Sequence, residues 1–152
     1  MIRNVNRVDH VAGVVRREHF EEVIARMAEV FDTKFYGPFD RPAMGARVAM
    51  SLDTGIELLS PASDDPENGF NKLLAAKGEH WLSVVMGVRD MDTTCDHLAR
   101  LGYKPMMRKS ALGGSDQYPG ELTSLEQAVF APGLFGDLSL SFCFSEEADN
   151  GA

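Results

Sequence analysis

The chain runs through one order of elements twice, and that repeat constrains its fold more than any other feature. Val8–Val15 (VDHVAGVV) is short and valine-rich and reads as a strand. In the following EHFEEVIARMAEVF, the apolar residues Phe20, Val23, Ile24, Met27, Val30 and Phe31 recur at three- and four-residue steps, which marks an amphipathic helix. TKFYG reads as a short strand and PFDRPAMG as a loop with two prolines. ARVAMSLDTGIELLSP reads as a hairpin turning at Asp53-Thr54-Gly55. A connecting helix is expected near Pro66 to Lys77. Asp65 would be its N-cap, Pro66 would suit its first turn, and Gly78 its stop. The order then returns. WLSVVMGV is a strand. DMDTTCDHLARLG is a helix with Cys95, Leu98 and Leu101 on one side and Gly102 at its end. YKPMM starts a strand. A Gly/Ser-rich loop from Ser110 to Gly120 precedes two closing strands, LTSLEQAVFAPG and GDLSLSFCF, and SEEADNGA reads as a frayed acidic tail.

The expected architecture is therefore α+β, a single domain of two βαβββ modules over 1–152. Module one covers about 7–61, a linker helix 62–79, and module two about 80–145. First strands align as Val8-Asp9-His10-Val11 over Trp81-Leu82-Ser83-Val84. Fourth strands align as Gly55 to Leu59 over Ser139 to Cys143. The second half is the longer one, and its Gly/Ser-rich loop is the place for the insertion.

Composition narrows the function classes. At 152 residues the chain is long enough to bury a core without disulfides or a structural metal. Its formal net charge of −8 repels phosphate backbones, so nucleic acid is not an expected partner. No apolar run spans a bilayer, and the start MIRNVNRVDH has no apolar core of the kind a signal peptide needs. Cys95 and Cys143 lie far apart with no CxxC pairing, which fits reduced thiols and a cytoplasmic setting.

VDHVAGVV at the opening, TGIELLSP closing the first half and FNKLLAAKGEH before the second resemble the vicinal oxygen chelate superfamily, the glyoxalase, bleomycin-resistance and extradiol-dioxygenase group. The pattern is most similar to the methylmalonyl-CoA epimerases. The resemblance runs from Arg7 to about Phe144. It implies two βαβββ modules forming an incomplete β-barrel, in which strand one and strand four of each half supply four inward ligands to one divalent metal. Carried onto this sequence, those positions are His10 and Glu57 in the first half and Ser83 and Ser141 in the second. His10 and Glu57 match the pattern. The two serines depart from it, because a neutral hydroxyl is a poor replacement for imidazole or carboxylate. No metal or other cofactor is expected; if one bound, His10, Glu57 and His80 would be the candidates. His80 lies an odd number of residues from Ser83, so strand alternation turns it to the opposite face.

An inward glutamate without a metal carries a large desolvation cost, and a neighbouring imidazole can hold or shuttle its proton. That is acid–base chemistry at an acidic C–H or a C–O bond, with Glu57 and His10 as the catalytic pair. The alternative is a structural His–Glu contact in a binding pocket. Ser83, Ser139 and Ser141 leave volume and can bind a ligand carbonyl or hydroxyl. Trp81, sharing the parity of Ser83, can stack on a ligand ring, and Tyr36 and Arg47 can reach one from their strands; Tyr118 and Glu121 are weaker candidates. Met44, Met50, Met86, Met106 and Met107 are core filler or flank an apolar ligand. His19 and His97 are expected on solvated helix faces.

The expected function is a small enzyme of isomerase (epimerase-like) or lyase type, independent of metal or poor in it, acting on an apolar oxygenated small molecule. Dioxygenase chemistry is disfavoured because it needs a fully ligated redox iron. The rival is a non-catalytic protein that sequesters a small molecule, as bleomycin-resistance proteins do. Open sheet edges lead to the expectation of a homodimer, with no membrane partner.

Overall fold

The structure, a computed structural model, describes residues 1–110, 121–131 and 133–148. It divides into two compact units, residues 10–82 and residues 1–9 with 83–152. The described elements are eight strands and three α-helices: β1 (Val8–Val14), α1 (Phe20–Phe31), β2 (Tyr36–Arg41), β3 (Ala46–Ser51), β4 (Ile56–Pro61), α2 (Gly69–Lys77), β5 (His80–Gly87), α3 (Met91–Arg100), β6 (Pro105–Ser110), β7 (Leu122–Phe130) and β8 (Leu140–Glu147).

The N-terminal unit orders its strands β2-β3-β4-β1. β2 with β3 and β3 with β4 are antiparallel, and β1 lies parallel to β4. Residues alternate between two faces, as the period of a strand requires. One face carries Ala12, Ala46, Val48 and Leu59, packed by Met44, Phe70 and Leu82. The other buries Val15, Ala49 and Leu58 against Phe20, Val23, Ile24 and Met27 of α1. The stripe on α1 ends earlier than its sequence period suggests. Val30 and Phe31, in the last turn before Asp32 takes the left-handed region (φ 48°) and ends the helix, are 69% and 53% exposed.

Two local readings change here. The stretch expected as a prolyl loop forms β2 as far as Arg41 and then a 3-10 turn over Pro42–Met44. At Gly37 (φ 102°) a Cβ would lie 2.6 Å from the Val48 carbonyl oxygen, so only glycine fits against β3. The linker helix starts at Gly69. Asn68, not Asp65, is its N-cap, accepting from the Phe70 N–H at 2.9 Å. Asp65 instead accepts from the Glu67 N–H at 2.9 Å and closes a turn upstream.

The C-terminal unit repeats the pattern with order β5-β8-β7-β6: β5 parallel to β8, the other pairs antiparallel. Its helix-side core joins Val88, Met91, Ala128 and Phe130 to Cys95, Leu98, Phe142 and Phe144. The Phe130 and Phe142 rings meet edge to face at 5.5 Å. Asp90 caps α3, accepting from the Thr93 N–H at 2.6 Å. Leu101, expected beside Cys95 and Leu98, lies past the end of α3 and is 58% exposed.

The acidic tail begins later than the sequence suggests. Ser145, Glu146 and Glu147 belong to β8 and pair with Leu125, Ser124 and Leu122. The N-terminal residues supply a further bridge, Ile2 to Glu146, and a second joins Val5 to Gly87. Of the Gly/Ser-rich loop only Ser110, in β6, lies among the described residues; Tyr118 lies outside them, and Glu121 follows the loop.

Candidate functional site

In the N-terminal unit the parallel register sets Ala12 opposite Glu57. His10, two residues before Ala12, shares its face. The His10 Nε2 and Glu57 Oε2 atoms lie 3.5 Å apart; the His10 side chain is fully buried and that of Glu57 is 14% exposed. Met50 pairs with Glu57 across β3–β4, and Tyr36 pairs with Met50 across β2–β3. Tyr36, Met50, Glu57 and Ala12 therefore form one row across four strands on one face. The Lys34 ammonium lies 4.2 Å from the centre of the Tyr36 ring.

The hairpin that delivers Glu57 is held by hydroxyl groups. Asp53 accepts hydrogen bonds from the Ser51 hydroxyl at 2.5 Å, from the Thr33 hydroxyl, and from the Thr54 N–H at 3.0 Å. The Ser51 and Thr33 hydroxyls hold the Asp53 carboxyl below its ordinary range. The Val11 N–H then donates to the Gly55 carbonyl at 2.8 Å and locks β1 to the start of β4.

In the C-terminal unit β5 and β8 align Val85 with Ser141 and Gly87 with Cys143. Ser83 and Ser141 meet hydroxyl to hydroxyl at 3.4 Å, and the Ser83 hydroxyl also lies 3.4 Å from the Ser139 carbonyl oxygen. Ser141 is buried, Ser83 half-buried and Ser139 exposed.

Three candidates lie elsewhere. Arg47 alternates with Ala46 and Val48 and so faces α1. It pairs there with Glu21 at 3.0 Å and lies over the Phe20 ring at 5.7 Å, and it also reaches Asp40 at 3.5 Å. Trp81 also lies on the α1 side. Gly13 presents no side chain, and the indole occupies that space: a Cβ at Gly13 would lie 3.2 Å from it. Trp81, His80, Val23, Met27 and Leu58 line an apolar groove of about 290 Å³ there. The His80 Nδ1 donates to the Gly78 carbonyl at 2.8 Å.

His19 and Glu79 form a pair the sequence did not suggest. The His19 Nδ1 donates to Glu79 Oε1 at 2.8 Å, and the Arg16 N–H donates to the same oxygen at 3.0 Å. Desolvation pushes the Glu79 carboxyl up, but these two donors outweigh it and hold the group below its ordinary value. Their positions, far apart in sequence and on exposed elements, carried no periodic signal. His97 is exposed in the last turn of α3, as expected. Met50 stands in the Glu57 row and Met44 packs the same face, whereas Met106 and Met107 are exposed.

The architecture is an α+β, glyoxalase-like fold. A methylmalonyl-CoA epimerase from Mycobacterium tuberculosis is similar at a TM-score of 0.71 and 18% identity, over 92% of this chain and 88% of that one. A variant of the Streptomyces coelicolor methylmalonyl-CoA epimerase, in complex with 2-nitronate-propionyl-CoA, is similar at 0.70 and 16%, over 91% and 96%. A hypothetical protein from Bacillus halodurans is similar at 0.69 and 20%, over 90% and 92%. No protein-family model and no curated protein matches the chain.

The sequence resemblance implies a divalent metal with ligands at two positions in each unit, and the residue types at those positions are a poor donor set for one. His10 and Glu57 offer imidazole and carboxylate. Ser83 and Ser141 offer neutral hydroxyls that lie within hydrogen-bonding distance of each other. No helix among the described residues is long and apolar enough to cross a membrane.

Proposed function

We propose that the chain is an epimerase-type isomerase that moves a proton on an apolar, oxygenated small molecule, with Glu57 as the base and His10 as its partner. The observation that carries this reading is the fully buried imidazole 3.5 Å from a carboxylate that retains solvent access. A carboxylate with one open side can take a proton from a carbon next to a carbonyl. The C–H bond breaks, its electron pair moves onto the carbonyl as an enolate, and the proton resides on Glu57. His10 orients the carboxylate or holds the proton before it returns to carbon.

Ser83, Ser139 and Ser141 are proposed as hydroxyls that bind ligand oxygens, and Tyr36 as a residue in reach of a ligand beside Glu57. Arg47, in its ion pairs with Glu21 and Asp40, is proposed instead to hold α1 to the sheet. The proposed setting is cytoplasmic and the proposed assembly a homodimer. β6 supports the latter, because it ends the strand order of its unit and exposes Met106 and Met107.

The neighbours include methylmalonyl-CoA epimerases, so methylmalonyl-CoA, an anionic thioester rather than an apolar molecule, is tested beside apolar candidates. Incubation in deuterated water, with mass spectrometry of the recovered thioester and of a panel of small 2-substituted ketones and esters, tests the reading. Deuterium enters one of them with the wild-type protein and not with Glu57→Gln. Stoichiometric binding without exchange in any of them would replace the enzyme reading with sequestration.

A further inference from the structure

Residues 1–7 lie across one end of the serine-lined face of the C-terminal unit. Gly87 shares that face with Val85, and Cys143 and Ser141 are their partners on β8. A Cβ at Gly87 would stand 2.2 Å from the Asn4 carbonyl oxygen, so the N-terminal segment occupies the space above this residue. Backbone hydrogen bonds fasten it along both strands: Arg3 N–H to the Ser145 carbonyl at 2.9 Å, Asn6 N–H to the Gly87 carbonyl at 2.9 Å, Gly87 N–H to the Arg7 carbonyl at 2.8 Å, and Glu147 N–H to the Met1 carbonyl at 2.8 Å.

A side-chain latch completes the attachment. Asp9 Oδ2 accepts from the Asn4 amide at 3.1 Å and from the buried Ser145 hydroxyl at 3.2 Å. The Asp9 carboxylate and the fully buried Cys143 thiol lie within 4.8 Å of each other. Among the apolar side chains of the segment, Ile2 and Val5 are only half-buried. Asn4 and Asn6 hold positive φ angles of 48° and 59°, backbone states that favour release. The Arg3 guanidinium also pairs with the Glu147 carboxylate at 3.4 Å. A terminal segment held by hydrogen bonds and ion pairs, with its side chains half-buried or exposed, opens at lower free energy than the sheet it lies on.

We propose that residues 1–7 are a hinged lid, latched by Asp9 through Asn4, whose local opening admits solvent and ligand to the Cys143 end of the serine-lined face. The hinge is the junction with β1 at Val8. The inference does not depend on the proton-transfer reading.

Cys143 is the reporter. In a Cys95→Ser protein it is the single thiol, and its reaction with 5,5′-dithiobis(2-nitrobenzoate) is followed at increasing urea below the unfolding transition. A lid gives a slow rate that urea changes little. Asn4→Ala, which removes the amide donor to Asp9, raises that rate about tenfold, since a hydrogen bond to a charged group is lost. Gly87→Ala, whose methyl displaces the Asn4 backbone, raises it comparably. In both variants the midpoint of global urea unfolding moves little. Labelling that rises only along the global unfolding transition, or that neither variant accelerates, overturns the proposal.

Discussion

Glu57 and His10 are the residues on which the chemistry turns. Glu57→Gln keeps size and hydrogen bonding but removes the proton acceptor, so turnover is expected to fall by about 10²–10⁴. Urea unfolding of the same variant is expected to show no loss of stability, because a partly buried carboxylate gives way to a neutral amide. His10→Gln is expected to lower turnover in the same direction by a smaller factor if the imidazole orients the carboxylate. Equal rates for wild type and Glu57→Gln would end the proton-transfer reading. Asp53 supports a second prediction. Its carboxyl, held by Ser51 and Thr33 below its ordinary range, contributes stability that is present above the ordinary carboxylate range and is lost as pH falls through the folded value. Thermal unfolding from pH 6 down to about pH 2 should therefore show a shallower decline for Asp53→Asn than for wild type. Parallel curves would show that the hydroxyl cluster does not couple to folding.

At the scale of elements, α2 depends on its cap. Asn68 accepts from the Phe70 N–H and also donates to the Gly45 carbonyl at 2.7 Å, tying the helix to the turn before β3. Asn68→Ala removes both bonds and is expected to cost about 1–2 kcal/mol in urea unfolding; a loss below about 0.3 kcal/mol would show that Phe70 packing alone holds the helix. This element also shows what sequence reading reaches. Asp65, Pro66 and Gly78 correctly announced a helix before β5. Asp65 and Asn68 are both good caps, however, and only the tertiary bond to Gly45 decides between them. Strand existence and order followed from hydrophobic pattern and turn residues. The sequence reading has Arg47 reaching a ligand, although Ala46 and Val48, which flank it at strand period, already turn it to the α1 side. The position of Trp81 was not, because it depends on the absence of a side chain at Gly13, a residue on another strand. The His10–Glu57 approach followed from family resemblance and alternation; the Asp9 latch did not, since it joins residues with no shared pattern.

At the scale of the whole molecule, two measurements bear on the proposed enzyme. Elemental analysis after exhaustive dialysis is expected to find well below one equivalent of zinc, cobalt, nickel or iron, because two of the four ligand positions are Ser83 and Ser141. Near-stoichiometric metal would show that other donors complete the set. Sedimentation at micromolar concentration is expected to show a dimer of the 16.7 kDa chain; a single monomeric species would remove β6 as an interface.

The parallel pairing of β1 with β4 has a consequence for the order of assembly. A parallel pair cannot close through a tight turn, so His10 meets Glu57 only after α1, β2 and β3 have been threaded between them. During synthesis β1 leaves the ribosome first and waits for its parallel partner until the last strand of its unit is made. The β2–β3–β4 meander can zip locally in the meantime, whereas joining β1 carries the larger loop-closure entropy. The imidazole–carboxylate pair is thus a product of a long-range closure in its unit, and a nascent chain acquires it only when that closure is complete.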